Sequence, residues 1–149
     1  MRAVVQRVLE ARVEVGGDCI ARMGHGLLVL VGIGRNDAAA EVEQIARKLV
    51  GLRIFSDDAG RFDRSVLDVG GTIGLVSQFT LYGDARKGRR PSFGEAAPPE
   101  LARPLFDAVV AAVGAAGVPV VTGRFGAAMQ VVLVNDGPVT ILLDTEEGL

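Results

Sequence analysis

The sequence predicts an α/β chain with a three-layer α/β/β arrangement, in which mixed sheets form a barrel-like core and two helices lie on one side. Three observations lead there. Only two stretches carry a helical apolar stripe, at about residues 38–50 and 100–116. Strand-like runs precede, separate and follow them. Two helices cannot cover both faces of that many strands, so sheet must pack on sheet.

The elements follow in order. Arg2–Val15 alternates, with Val4, Gln6, Val8, Val13 and Val15 set against Arg7, Glu10, Arg12 and Glu14, as one long or bent strand does. Gly16-Gly17-Asp18 is a turn, residues 19–23 a short strand and Gly24-His25-Gly26 a second turn. Residues 27–33 are continuously apolar, the mark of a central strand buried on both faces. Asn36-Asp37 is expected to cap a helix over 38–50, with Val42, Ile45, Ala46 and Leu49 on its inner face and Gly51 as its stop. Residues 52–55 read as a short strand, Ser56-Asp57-Asp58-Ala59-Gly60 as a solvated turn, and residues 72–79 as a core strand with a polar end. A loop to Pro98 follows, longer than a connector needs. Pro98-Pro99 opens the second helix, whose stripe is Leu101, Leu105, Val109 and Val113. Val118 to Thr122 starts the last strands. Asn135-Asp136-Gly137-Pro138 then reads as the turn of a closing hairpin, with Thr145 to Leu149 as a loose tail.

Composition bounds the function. The 149 residues, 49% hydrophobic, suit a single domain over residues 1–149. A net charge of −2 supplies no global field toward nucleic acid, so DNA is not an expected partner and any RNA contact needs a local patch. No run is long enough to span a membrane and no signal peptide opens the chain, which points to the cytoplasm. The single cysteine, Cys19, is expected as a buried thiol, and the single histidine, His25, as an exposed turn residue. One of each cannot build a multi-histidine metal site, so neither metal nor cofactor is expected.

Three stretches are over-specified for packing. Ser77-Gln78-Phe79-Thr80 gathers polar groups at a core strand end, where backbone N–H groups can hold an oxyanion and Thr80 offers a hydroxyl; local hydrogen bonding of a strand end accounts for it equally. Arg86, Lys87, Arg89 and Arg90 crowd five positions and suit phosphate contacts, or form a solvated loop. Phe125 and Met129 offer an apolar face for a nucleobase, or are core. Pro138 adds to a turn that Asp136-Gly137 could already make. A cis Gly137–Pro138 bond would aim the carbonyls of Asp136 and Gly137 in a fixed direction.

Together these stretches resemble the D-aminoacyl-tRNA deacylase family. The resemblance rests on Ser77-Gln78-Phe79-Thr80-Leu81 and Asn135-Asp136-Gly137-Pro138-Val139-Thr140, in that order. It extends through Met1-Arg2-Ala3-Val4-Val5-Gln6-Arg7, Gly26-Leu27-Leu28-Val29-Leu30-Val31-Gly32, Arg86-Lys87-Gly88-Arg89-Arg90 and Gly123-Arg124-Phe125-Gly126-Ala127. It implies hydrolysis of the ester joining a D-amino acid, or glycine, to the terminal adenosine of tRNA. It also implies a homodimer with its active sites at the subunit interface. Gly137-Pro138 would be cis and reach into the partner's pocket to exclude an L side chain, with Arg7 buttressing it. Ser77, Gln78, Phe79 and Thr80 would wall the pocket and place the N–H groups of Phe79 and Thr80 near the scissile carbonyl. Phe125 and Met129 would lie beside the adenine. The attack would be assisted either by the tRNA's own 2′-hydroxyl or by Thr80 as nucleophile. A non-catalytic RNA-binding module and a hydrolase of small esters are the competing classes. A chirality gate argues against the first, and equal activity on free esters would mark the second.

Overall fold

The computed structural model describes residues Met1–Leu149. Its organising strand is β1 (Arg2–Val15). Along one edge β8 (Gln130–Asp144) runs antiparallel to it, from Arg2↔Asp144 to Glu14↔Gln130. Along the other edge β1 has two partners in succession. β3 (Gly26–Gly32) pairs with residues 2–8, and β2 (Asp18–Met23) with residues 11–15. β6 (Thr72–Ser77) adds parallel to β3, and β7 (Val120–Thr122) parallel to β6. Parallel neighbours need crossovers, and these carry α1 (Ala39–Gly51) and α2 (Pro99–Ala115). No helix is long and apolar enough to cross a membrane.

One sheet serves two cores because β1 changes face midway. Ala3 and Val5 point into the larger core with Leu27, Val29, Val31, Ile73 and Leu75, beneath both helices. Val8, Ala11 and Val13 point into a smaller core with Met23, Leu28 and Val76. The switch falls at the register shift between Val8 and Glu10, which leaves Leu9 54% exposed. The sheet therefore curls into a nearly closed barrel-like layer with the helices on one side, the α/β/β arrangement expected. β3 is buried on both faces, as its unbroken apolar run requires.

The structure corrects several local expectations. The Asn135–Thr140 segment is no hairpin: the chain keeps its direction, and both arms of β8 pair with β1. Asp37 does not cap α1. Its buried carboxylate accepts the N–H of Gly34 (2.7 Å) and the amino group of Met1 (2.6 Å), while Glu41 takes the capping contact from the Ala38 N–H (2.8 Å). Thr145 is anchored, since its N–H donates to the Met1 carbonyl, so the tail is not loose at its start. Cys19 is exposed rather than buried, because β2 lies at a sheet edge. β6 stops at Ser77, short of Phe79, where a 3₁₀ turn (Phe79–Tyr82) begins. The expected strand at 52–55 is instead β4 (Phe55–Ser56), paired with an unforeseen β5 (Phe62–Arg64). In α2 the buried stripe is Ala102, Phe106, Val109 and Val113, with Leu101 and Leu105 packed at its margin. His25 is exposed, as expected, and its ring meets the edge of Phe55.

Candidate active site

Gln78 donates its backbone N–H to the Val31 carbonyl (2.8 Å) and then leaves the sheet direction, opening the 3₁₀ turn. That departure makes one wall of a cleft of about 480 Å³. Ser77, Gln78 and Phe79 line this wall, and Phe125, Gly126, Ala127 and Met129 line the cleft with them, as do Ala97 and, from α2, Pro99 and Ala102. The lining is mostly apolar with a few polar atoms, the character of a small-ligand site. Met129 is locked in place from below. Its sulfur accepts the Arg124 N–H (3.3 Å) and lies 2.8 Å from where a Cβ on Gly123 would stand, so a side chain at 123 would push the thioether aside. Phe125 packs on Phe106, with ring centres 6.2 Å apart, and carries the Arg103 guanidinium 5.3 Å above its ring.

The structure thus brings Ser77, Gln78, Phe79, Phe125 and Met129 together. Thr80 sits one residue beyond the lining and is exposed. Its hydroxyl accepts the side-chain amide N–H of Gln78, which is no base. The leading N–H groups of a helical turn have no intrahelical acceptor, which leaves those of Phe79 and Thr80 available for a ligand.

Gly137 and Pro138 stand elsewhere. Between the pairs Gln6↔Thr140 and Val8↔Asn135, Arg7 alone on β1 faces residues 136–139 on β8. The surplus chain loops out, with the Gly137–Pro138 bond cis and Gly137 at φ +122°. Buried Arg7 holds the loop from beneath. Its Nη1 donates to the Ile54 carbonyl (2.7 Å), its Nε lies 2.9 Å from the Asp136 carboxylate but off the N–H line, and its guanidinium covers Phe62 at 5.5 Å. The Asn135 amide donates to the carbonyls of Arg7 and Val139, both at 3.0 Å, tying the loop's two ends together. Arg7 pairs with Leu27 and so lies level with Ile73, whereas Ser77 is level with Val31 and Ala3. Four residues of strand, about 13 Å, and the three strand spacings from β8 through β1 and β3 to β6, roughly 14 Å, therefore separate the loop from the Ser77 wall of the cleft within one chain.

The cationic loop is pinched shut where Asp84 and Ser92 exchange backbone hydrogen bonds of 2.7 and 2.9 Å. Arg86 is paired inside it, its Nε and Nη2 donating to the two carboxylate oxygens of Asp84 at 2.8 and 2.7 Å. Those bonds hold the Asp84 carboxyl well below the usual carboxylate range. A depressed carboxyl stays ionised until the pH falls through its own lowered value, so Arg86 remains neutralised near neutral pH. Lys87, Arg89 and Arg90 are exposed and make no ion pair.

The sequence reading did not include Ala97, Pro99 and Ala102, which also line the cleft, nor Asn135 and Asp136 as the loop's own fasteners. The first three carry no chemical signal. The last two stood in the motif and read as turn formers.

A model of the D-Tyr-tRNA(Tyr) deacylase family matches residues 4–144. The D-aminoacyl-tRNA deacylase of Roseiflexus sp. (strain RS-1) is 59% identical over 145 residues, covering 97% of this chain and 94% of that protein. The protein of the same description from Chloroflexus aurantiacus (strain ATCC 29364 / DSM 637 / Y-400-fl) is 58% identical over 147 residues, covering 99% and 92%. Among solved structures, one titled c-Myc DNA Unwinding Element Binding Protein superposes with a TM-score of 0.92 at 43% identity, covering 97% of this chain and 98% of its own. A probable eukaryotic D-amino acid tRNA deacylase superposes with a TM-score of 0.82 at 20% identity, covering 95% and 97%, a likeness of fold.

The loop geometry predicts that Gly137→Ala is costly. A Cβ there would lie 2.7 Å from the Val139 side chain, at a φ that L residues avoid. Urea denaturation should show a loss of about 1–3 kcal/mol. An unchanged midpoint would mean that the loop relaxes freely and is not held by Arg7 and Asn135.

Proposed function

The chain belongs to the D-Tyr-tRNA(Tyr) deacylase family and hydrolyses the ester of D-aminoacyl-tRNA, and on that premise we propose how its residues divide the work. The observation that carries the proposal is the cleft joining Ser77-Gln78-Phe79 to Phe125 and Met129. The terminal adenosine lies with its base against Phe125 and Met129, which puts the aminoacyl ester at the Ser77 wall. Water adds to the ester carbonyl, and the N–H groups of Phe79 and Thr80 stabilise the resulting oxyanion. The tetrahedral centre then collapses, expelling the 3′-oxygen of the ribose with a proton.

The residues around the cleft favour the substrate's 2′-hydroxyl over Thr80 as the assisting group. Thr80 is bonded to an amide that cannot take its proton, and an aminoacyl ester is already activated, so positioning carries much of the rate.

Gly137-Pro138 acts in the pocket of a second copy. The separation of loop and cleft within one chain supports this reading. So does β8, which pairs with β1 alone and leaves its outer edge and Leu142 (76% exposed) and Val134 (46% exposed) without a partner. Arg7 positions the loop from beneath. A gate that rejects a side chain on one face of the α-carbon tolerates any side chain on the other. It cannot reject glycine, which has none, so glycyl-tRNA is also cleaved. Lys87, Arg89 and Arg90 contact tRNA phosphates, and Arg86 contributes less because Asp84 already holds it.

Matched D- and L-tyrosyl-tRNA test the reading, each with a 2′-hydroxyl and with a 2′-deoxy terminal adenosine. Fast release from the D ester alone, lost on 2′-deoxy substitution, is expected. Equal release from D and L would remove the gate, and full activity on the deoxy ester would return the chemistry to the protein. For the loop, Arg89→Gln should flatten the dependence of log K on log salt by roughly 0.7–0.9, one phosphate contact. Arg86→Gln should leave the slope nearly unchanged. Equal effects would mean that the pairing with Asp84 opens on binding.

A further inference from the structure

Resting on the deacylase reading, we propose that the Phe79–Phe93 pair at the rim of the cleft is a stacking platform for the base of the nucleotide that precedes the terminal adenosine. Nothing in the chemistry of the ester requires this pair. Phe79 lines the cleft and yet is 54% exposed, so it reaches from the site to solvent. Phe93 does not line the cleft. It meets Phe79 edge to face, with ring centres 5.1 Å apart and planes at 67°, and is 37% exposed. Two large aromatics open to solvent at the mouth of an apolar cleft are costly unless something covers them.

The platform is held, and its setting matches one occupant. A Cβ on Gly83 would come within 3.1 Å of the Phe93 ring and 3.0 Å of the Thr80 carbonyl, so the glycine lets the ring settle against the 3₁₀ turn. Phe93 follows directly on Ser92, whose backbone pairs with Asp84 and closes the cationic loop. A single strand leaving the cleft over Phe79 therefore meets an aromatic ring and then Lys87, Arg89 and Arg90. Exposed aromatics alternating with unpaired cations are how single-stranded nucleic acid is held without reading its sequence: bases stack, and phosphates find the charges. The pair stacks a base of either class, so it adds affinity and not base specificity.

The test extends the substrate by one nucleotide. Hydrolysis of D-tyrosyl-adenosine is compared with that of D-tyrosyl-cytidylyl-adenosine, and with the same dinucleotide carrying an abasic residue in place of the cytidine. The comparison is made for the wild-type protein, Phe93→Ala and Phe93→Tyr. The platform predicts that the cytidine raises kcat/KM of the wild-type protein by roughly tenfold, the order expected for one base on an aromatic ring. The abasic residue should lose most of that gain, Phe93→Ala should abolish it, and Phe93→Tyr should keep it. A gain that survives in Phe93→Ala, or that the abasic residue matches, overturns the proposal, since phosphate contacts then account for the extension. A loss in Phe93→Ala of the same size on both substrates also overturns it, because Phe93 would then only shape the cleft or a subunit contact. Failure of the wild-type protein on D-tyrosyl-adenosine and on D-tyrosyl-tRNA alike would instead sink the deacylase reading itself.

Discussion

The antiparallel pairing of β1 with β8 is the constraint on which the rest of the molecule depends. β1 is shared by β8 on one edge and by β3 and then β2 on the other, and its change of face at Leu9 sets both cores. The same ladder contains a mismatch, Arg7 opposite residues 136–139. A mismatch of that size must loop out. It loops out as Asp136-Gly137-Pro138-Val139 because Asn135 ties the ends and Arg7 fills the space beneath. Arg7 can occupy a nearly closed position because the Ile54 carbonyl and the Asp136 carboxylate meet its charge. The loop is thus fastened at its base and exposed at Gly137 and Pro138.

The cleft is built on the other end of the sheet by a different device. A buried strand stops at Ser77, the chain turns out, and Ser77, Gln78 and Phe79 share a cleft with Met129 and Phe125. It supplies shape, apolar surface and dipoles, and around Thr80 it supplies an amide in place of a base. Such a site accelerates a reaction whose reactants bring their own chemistry, and an aminoacyl ester flanked by a ribose hydroxyl does so.

Much of this was legible in the residues. The layer class followed from two helical stripes among many strands, and β3 from its unbroken apolar run. Ser77-Gln78-Phe79 stands out because polar groups end a core strand, and Phe125 and Met129 because they offer an apolar face for a nucleobase. What failed was non-local. Asn135-Asp136-Gly137-Pro138 has the local grammar of a hairpin, and only the register with β1 shows that the chain runs on. Asp37 has the grammar of a cap, but the amino group of Met1, far away in sequence, takes its carboxylate. Cys19 reads as a buried thiol from its strand-like stretch, and its exposure follows from β2 being an edge, which no local pattern records. Arg86 looked equivalent to Arg89 until the folded loop set Asp84 against it.

The central claim is that each pocket is completed by the Gly137-Pro138 loop of another copy. It is tested most directly by mixing two disabled subunits: one with Gly137→Ala and an intact cleft, the other with Ala127→Trp filling the cleft and an intact loop. Each alone should lack D-selective hydrolysis of tyrosyl-tRNA. If the loop acts across the interface, the purified mixed dimer regains one working site and about half the D-selective rate of the wild-type dimer. If loop and cleft of the same chain form the site, the mixed dimer regains no D-selective hydrolysis beyond that of its parents, and the account is wrong.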